Sequence, residues 1–358
     1  MHSPEANTGK HKWKNPKWYS ATGSTRCANM ATRWGICSAG KISHDFMVAL
    51  KTLPPEDHQA VAVAARRLDD AKQFAKTHSI PRAYGTYEEL ARDPNIDVIY
   101  IGTIQTNHLS SCLLFLNAKK PVLCEKSLAM TTKEVKEILA CAKKNNVFLM
   151  EAIWSRFYPA YREIRRVLAQ GEIGEVRMVR SEFGLSVLPL PRLELKELGG
   201  GALLDIGIYP LQFSMMIYGE RPQSIQTMGK CLPTGVDETL VVTMKFSNDR
   251  LAVFTSSSGL QLANDAIIVG TNGLIRIPSH MWCPETIVVN GKESNYPLPE
   301  PYLPVNFVHS TGLRYEAEEV RQCLLKGMKE SPHMSHAESL LLAELKEEIL
   351  KQVGVVYD

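Results

Sequence analysis

From Arg33 to Met150, short uninterrupted apolar runs alternate with stretches of helical spacing, and no other feature restricts the fold of this chain as tightly. The runs lie at 33–38, 59–64, 98–101, 121–124 and 147–150. Helical patterns lie between them at 41–53, 69–78, 108–118 and 131–145, the last opened by the capping residue Thr131. A strand that is apolar all round must be covered on both faces, and connections of ten or more residues are too long for hairpins. The pattern therefore predicts a doubly wound α/β unit with five parallel strands, occupying residues 30–152.

In such a sheet a ligand sits beyond the carboxyl ends of the strands, where the strand order reverses. The first strand-to-helix turn reads Gly35-Ile36-Cys37-Ser38-Ala39-Gly40-Lys41-Ile42-Ser43. Set against Gly-x-Gly-x-x-Gly, Ser38 takes the first position, Gly40 the second and Ser43 the third. Only the middle glycine, which lets the backbone approach a pyrophosphate, is kept. Strand two ends in Ala64-Ala65-Arg66-Arg67, where an NAD site would place Asp or Glu for the ribose 2′-hydroxyl. Planar, charged guanidinium forks suit a 2′-phosphate instead. As ordinary helix-opening residues, two cations would oppose the dipole. The expected cofactor is NADP.

From Val176 the periodicity switches to strict alternation, first over 176–183 and then at 223–231, 238–246, 250–257, 265–270 and 273–277. Turn residues at Ser247-Asn248-Asp249 and Thr271-Asn272-Gly273 separate several of these runs. A second domain over 153–358 is expected, built on a large, mostly antiparallel sheet whose open face can close a cleft or pair with another copy. A glycine-led helix is expected over 199–218, with further helices near 312–327 and 336–352 and a returning strand after 352.

Composition removes other classes. Residues 1–29 hold five Lys or Arg against Glu5, so the formal charge of +3 leaves only −1 on the rest, which carries no nucleic-acid footprint. No window approaches ~18 uninterrupted apolar residues, so no membrane-spanning helix is expected. The eight cysteines contain no Cys-x-x-Cys pair, which argues against zinc, and no metal is expected. A chain of this length builds its core without disulfides, so free buried thiols in a reducing, cytoplasmic compartment are the expectation. The first 29 residues lack the apolar centre of a secretory signal and read as a disordered leader.

Two segments carry candidate chemistry. Cys124-Glu125-Lys126-Ser127 closes strand four at the cofactor edge, where Lys126 could donate to a substrate oxygen, tune a neighbour, or simply pair with Glu125. In Gly199-Gly200-Gly201-Ala202-Leu203-Leu204-Asp205-Ile206-Gly207-Ile208-Tyr209, the spacing puts Asp205 and Tyr209 on one helix face a turn apart. Dipole chemistry for Asp205 and plain packing for Tyr209 remain the alternatives.

Together with Thr103-Ile104-Gln105-Thr106-Asn107-His108 and Pro121-Val122-Leu123-Cys124-Glu125-Lys126, these segments resemble the glucose–fructose oxidoreductase/inositol dehydrogenase (Gfo/Idh/MocA) family, from about Arg33 to the C-terminus. The stretches 150–159 and 281–284 resemble a branch that oxidises cyclic trans-dihydrodiols and D-xylose with NADP. The resemblance implies cofactor contacts from Ser38, Gly40, Lys41, Ile42, Arg66, Arg67, Thr103, His108, Glu125 and Lys126, and a homodimer acting on a small diol or pentose. It implies an aromatic substrate wall of Trp154, Phe183, Trp282 and Phe307. It also implies Tyr209 as acid/base, with Lys126 favouring its phenolate and Asp205 orienting it or holding a substrate hydroxyl. Two departures stand out. Ser127 replaces the proline of the family's Glu-Lys-Pro, which should loosen the cofactor loop, and Tyr209 stands where many members carry His. Other readings within reach are a different sugar, dicarbonyl or biliverdin-type reductase of the same family, or a non-catalytic NADP-binding regulator.

Overall fold

A computed structural model of the chain describes residues 31–357; the expected leader, 1–29, lies outside them. The first half alternates β1 (Thr32–Cys37), α1 (Lys41–Leu50), β2 (His58–Ala64), α2 (Leu68–His78), β3 (Arg82–Tyr84), α3 (Tyr87–Arg92), β4 (Val98–Ile101), α4 (His108–Asn117), β5 (Val122–Glu125), α5 (Thr132–Asn145) and β6 (Leu149–Ala152). The six strands pair in parallel in the order β3-β2-β1-β4-β5-β6, so the order reverses between β1 and β4 and opens a crevice at their carboxyl ends. One strand and one short helix more than expected are present. Arg82-Ala83-Tyr84 has no apolar run to betray it, and α3 rests on the Thr86–Glu89 capping box.

The second half contains α6 (Pro159–Gln170), β7 (Val176–Gly184), α7 (Pro191–Glu194), α8 (Ile208–Tyr218), β8 (Ser224–Cys231), β9 (Asp237–Lys245), β10 (Leu251–Ser257), β11 (Ala266–Gly270), β12 (Gly273–Ile277), β13 (Thr286–Val289), β14 (Lys292–Asn295), α9 (Arg314–Leu325) and α10 (His336–Gln352). Its eight strands run β14-β13-β12-β11-β7-β10-β9-β8, antiparallel except at the β7–β10 pair. α8, apolar on every side, packs against the inner face beside Phe183, Val242 and Phe254. The outer face keeps Met178, Met228, Val241, Leu251 and Leu274 exposed.

Three expectations are corrected. β13 and β14 extend the sheet beyond Ile277, residues 355–357 form no strand, and the glycine run lies outside the helix. The run is needed elsewhere. A Cβ on Gly200 would lie 2.7 Å from the Leu193 carbonyl oxygen, and one on Gly201 (φ 109°) would lie 2.4 Å from Asp237. Gly200 thus lets the chain pass under the 193–195 backbone, and Gly201 lets it turn inward against Asp237. All seven described cysteines are free, and six are buried.

The two halves are tied together. Buried Asp45 of α1 accepts backbone N–H bonds from Asn306 and Phe307 at 2.9 and 2.8 Å, holding the segment before α9 across the helix that opens the crevice. On the far side, Glu347 of α10 accepts from the Thr132 backbone N–H at the start of α5.

Candidate active site

The crevice begins at the β1–α1 turn. Ser38 adopts φ +93°, a conformation glycine takes more readily, and Gly40 caps α1 with no side chain occupying its first amide groups. Open N–H groups at a helix start form an anion site. The missing third glycine is compensated across the contact: Ser43 packs on Gly102, where an added Cβ would sit 2.3 Å from the Ser43 hydroxyl. The Ser43 and Thr103 hydroxyls are buried without hydrogen-bond partners. Lys41 is exposed and Ile42 half-buried at the same turn. At the end of β2 both arginines are exposed. Arg67 lies 3.6 Å from Asp70, and Arg66 has no ion pair among the described residues. These features fit a bound dinucleotide, which would rest its phosphates on the α1 amides and its ribose near Arg66.

His108 is buried at the start of α4. Its ring lies between two backbone carbonyls, Ser127 at 2.8 Å and Thr103 at 3.1 Å, on the loops that follow β5 and β4, and the one N–H of the neutral ring donates to one of them. Burial lowers its pKa to about 4 despite both acceptors. Ser127 is held as well, its hydroxyl donating to the Leu204 carbonyl at 3.2 Å, so the loop that lost a proline is fastened by hydrogen bonds.

The catalytic candidates converge beside this loop. Residues Leu203–Gly207 form a π turn leading into α8, and Asp237 accepts the Leu203 backbone N–H at 2.7 Å to start it. The widened turn is a device common at functional sites. It leaves both Asp205 and Tyr209 within reach of one residue: the Lys126 ammonium lies 3.3 Å from Asp205 Oδ1 and 5.3 Å from the centre of the Tyr209 ring. Lys126 also donates to the Asp205 carbonyl oxygen. Arg192 of α7 grips the same carboxylate with two nitrogens, at 2.9 and 3.1 Å. Burial opposes the Asp205 charge, but Lys126 and Arg192 outweigh it and hold the carboxyl well below the usual range. Arg192 carries no periodicity or motif and was invisible in the sequence.

Tyr209 is buried, and its oxygen accepts the Trp154 indole N–H at 2.6 Å. Burial, then the nearby Glu125, push the phenol well above 10, with the Trp154 bond acting the other way. Lys126 thus sits on the ring face and is committed to Asp205, with no hydrogen bond to the phenol oxygen; nor does Asp205 bond Tyr209, being taken by the two cations. Glu125 accepts from Tyr100 at 2.6 Å, and burial raises it to about 7. Behind it, Glu316 is wholly buried with neither carboxyl oxygen partnered, and burial with Glu125 nearby drives its pKa well up. Two carboxyls in so dry a place do not ionise together.

An aromatic wall adjoins Tyr209. Phe183 stacks on Trp282 at 3.6 Å and stands 5.6 Å from the Tyr209 ring, which Trp154 meets edge-on at 6.5 Å. The 150–159 and 281–284 stretches meet here, Ser155 donating to the Trp282 carbonyl and Tyr161 to that of Met281. Phe307 stands apart, 42% exposed, and makes no ring contact with this wall among the described residues. A cavity of about 400 Å³ bordered by Thr32, Lys120 and Arg321 lies at the opposite, amino-terminal edge of the first sheet, away from this chemistry.

The family is decided by the comparison of this sequence with known ones. A model of an oxidoreductase family with an NAD-binding Rossmann fold matches residues 32–153, and one of the GFO/IDH/MocA C-terminal domain matches 161–276. The chain belongs to the Gfo/Idh/MocA oxidoreductase family. It is 61% identical over 329 residues to a trans-1,2-dihydrobenzene-1,2-diol dehydrogenase of Danio rerio, covering 92% of this chain and 98% of that one. To the Homo sapiens protein of that name it is 47% identical with the same coverage. Among solved Gfo/Idh/MocA-like folds, a levoglucosan dehydrogenase in complex with NADH and levoglucosan superposes with a TM-score of 0.80 at 19% identity, covering 90% and 97% of the two chains. A 3-ketoreductase variant from Actinomadura kijaniata in complex with NADP gives 0.71 at 22%, covering 91% and 98%. No helix of the described residues is long and apolar enough to cross a membrane.

Proposed function

We propose that this Gfo/Idh/MocA oxidoreductase oxidises trans-1,2-dihydrobenzene-1,2-diol to catechol and D-xylose to D-xylono-1,5-lactone, using NADP. One observation carries the reading: Lys126 bridges Asp205 and Tyr209 directly beside the Phe183–Trp282 wall, at the edge of the dinucleotide crevice. The names of the relatives at 61% and 47% identity support the diol. Arg66, exposed and without an ion pair among the described residues where an acidic residue would mark NAD, supports the 2′-phosphate.

When bound, the nicotinamide supplies an acceptor for the hydride that leaves the substrate carbon. The Tyr209 oxygen takes the proton of the hydroxyl on that same carbon, and in the reverse direction returns it. A phenolate there is disfavoured by burial, and the Trp154 N–H is the group that compensates it. Lys126 donates to the substrate oxygen with the N–H that Asp205 leaves free. The aromatic wall excludes water and receives the ring or sugar face. A firmly protonated Tyr209 also favours the reductive use of the same site on a dicarbonyl at neutral pH.

We infer further that residues 30–152 hold the cofactor and 153–358 the substrate, and that two copies associate through the apolar outer face of the second sheet. The test is to incubate the full chain with NADP⁺ or NAD⁺ and either racemic trans-benzene dihydrodiol or D-xylose, following absorbance of the reduced nicotinamide. NADPH formation with the diol is expected. Tight NADP⁺ binding without turnover of either substrate would point to a regulator, and a preference for NAD⁺ would remove the role given to Arg66.

A further inference from the structure

Asp205 is held by two cations where one would balance it. Arg192 takes both carboxylate oxygens, while Lys126 reaches Oδ1 of the same group and the Asp205 carbonyl. The triad therefore carries one positive charge in excess, and its Lys126 end lies over the Tyr209 ring that borders the aromatic wall. A guanidinium has five N–H donors and an ammonium three. Two of each are spent on Asp205, so both cations keep unspent donors, and their common hold on Oδ1 keeps them side by side. Arg192 is also the accessible member, its side chain 40% exposed against 15% for Asp205 and 14% for Lys126.

The backbone fixes this placement. Gly200 and Gly201 donate N–H bonds to the Leu195 and Leu193 carbonyls at 3.0 and 2.9 Å, clamping α7 over the chain that leads to Asp205. That close pass requires the absence of a side chain on Gly200, whose Cβ would meet the Leu193 and Leu195 carbonyls.

We propose that Arg192 is a specificity-determining residue that binds the second oxygen of a substrate bearing two adjacent oxygens. This deepens the oxidoreductase reading above and rests on it. Lys126 takes the oxygen on the reacting carbon, and Arg192 takes its neighbour. A cyclic diol and an aldopyranose share that pair of oxygens, so one device serves both substrates despite their different rings. A monohydric alcohol engages Lys126 alone and leaves Arg192 unanswered.

Binding to the full chain loaded with NADPH, which cannot accept hydride, tests the assignment. The probes are trans-cyclohexane-1,2-diol and cyclohexanol, titrated against wild type, Arg192→Ala and Arg192→Lys by NADPH fluorescence, with thermal melts to certify folding. Wild type is expected to prefer the diol at least ~10-fold, as for a built hydrogen-bonding site. Arg192→Ala should erase most of that preference while cyclohexanol affinity stays within about twofold, and Arg192→Lys, which keeps a cationic donor, should retain part of it. A preference undiminished in both variants, an equal loss for both probes, or a wild type without preference would each overturn the proposal. Should Arg192→Ala fail to fold, Arg192→Lys decides alone: an unchanged preference refutes. Turnover of the dihydrodiol with NADP⁺ is read separately, so failure of the assigned reaction is distinguishable from failure of the two-oxygen recognition.

Discussion

At Tyr209 two opposed influences meet on one oxygen. Burial and the Glu125 carboxyl hold its proton, and the Trp154 N–H bond favours its release, with the proton winning. A base must lose its proton before it accepts another, so oxidation should accelerate with pH and show no plateau below pH 10. Reduction needs the protonated phenol and should stay level from pH 6 to 9. Rate–pH profiles in the two directions check this, and a plateau near pH 7 in oxidation would reassign the base. Tyr209→Phe should lower kcat by ~10²–10⁴ with NADPH affinity within about twofold, measured by turnover and fluorescence titration. The residue types at this site were readable because Glu125, Lys126, Asp205 and Tyr209 lie in compact motifs. Their partnership was not: Lys126 and Asp205 are 79 positions apart, and Arg192 lies in a four-residue helix too short to show a period. The motifs alone put Lys126 beside the phenol as a charge favouring its phenolate; the fold sets its ammonium over the Tyr209 ring and adds the bond to Asp205.

Among the elements, the cofactor turn shows how a degenerate motif keeps its geometry. Ser43 replaces the glycine that ordinarily allows close helix–strand packing, and Gly102 at the end of β4 supplies the missing space. Gly102→Ala should weaken NADPH binding by roughly tenfold, as overpacked contacts cost ~1–3 kcal/mol, and adding Ser43→Gly should recover most of it. Titration of both variants decides; no rescue would mean that Tyr100 and Ile42, also close to the new Cβ, dominate. His108, buried between the two loops, has a pH signature of its own. Its folded pKa is depressed to about 4 from 6.5, so the unfolded chain binds a proton that the folded one refuses. Stability from this group is therefore complete above pH 6.5 and drains as pH falls toward 4, by on the order of 2–3 kcal/mol. Thermal melts from pH 7 to 4.5 should show a steeper fall in Tm for wild type than for His108→Asn, although the variant melts lower at pH 7. The elements missed in the sequence were short or polar, and one left a signal. Asn290-Gly291 between Val289 and Lys292 is a tight-hairpin pair, and it joins β13 to β14.

In the whole molecule, the alternation of buried strands and helices fixed a parallel sheet, and the later period-two runs fixed a second sheet with one wet face. What pattern alone did not reveal is how the halves grip each other. Asp45 binding the 306–307 backbone and Glu347 capping α5 join residues more than 200 positions apart. The second sheet's wet face is not uniformly polar. Met228 pairs with Val241 and Met178 with Leu251 across neighbouring strands, and these four are 79%, 44%, 39% and 47% exposed. Aligned apolar side chains on an open sheet face are the surface a second copy would cover. The opposite face of the same strands packs on α8, so charging the outer side should spare the core. Val241→Lys combined with Met228→Lys places like charges opposite one another on the β8–β9 side of that surface. Light scattering is expected to give twice the chain mass for wild type and the single-chain mass for the double variant, with NADPH affinity held within about twofold because the crevice lies in the other half. A wild type of single-chain mass, or a double variant that still pairs, would move the contact elsewhere or remove it.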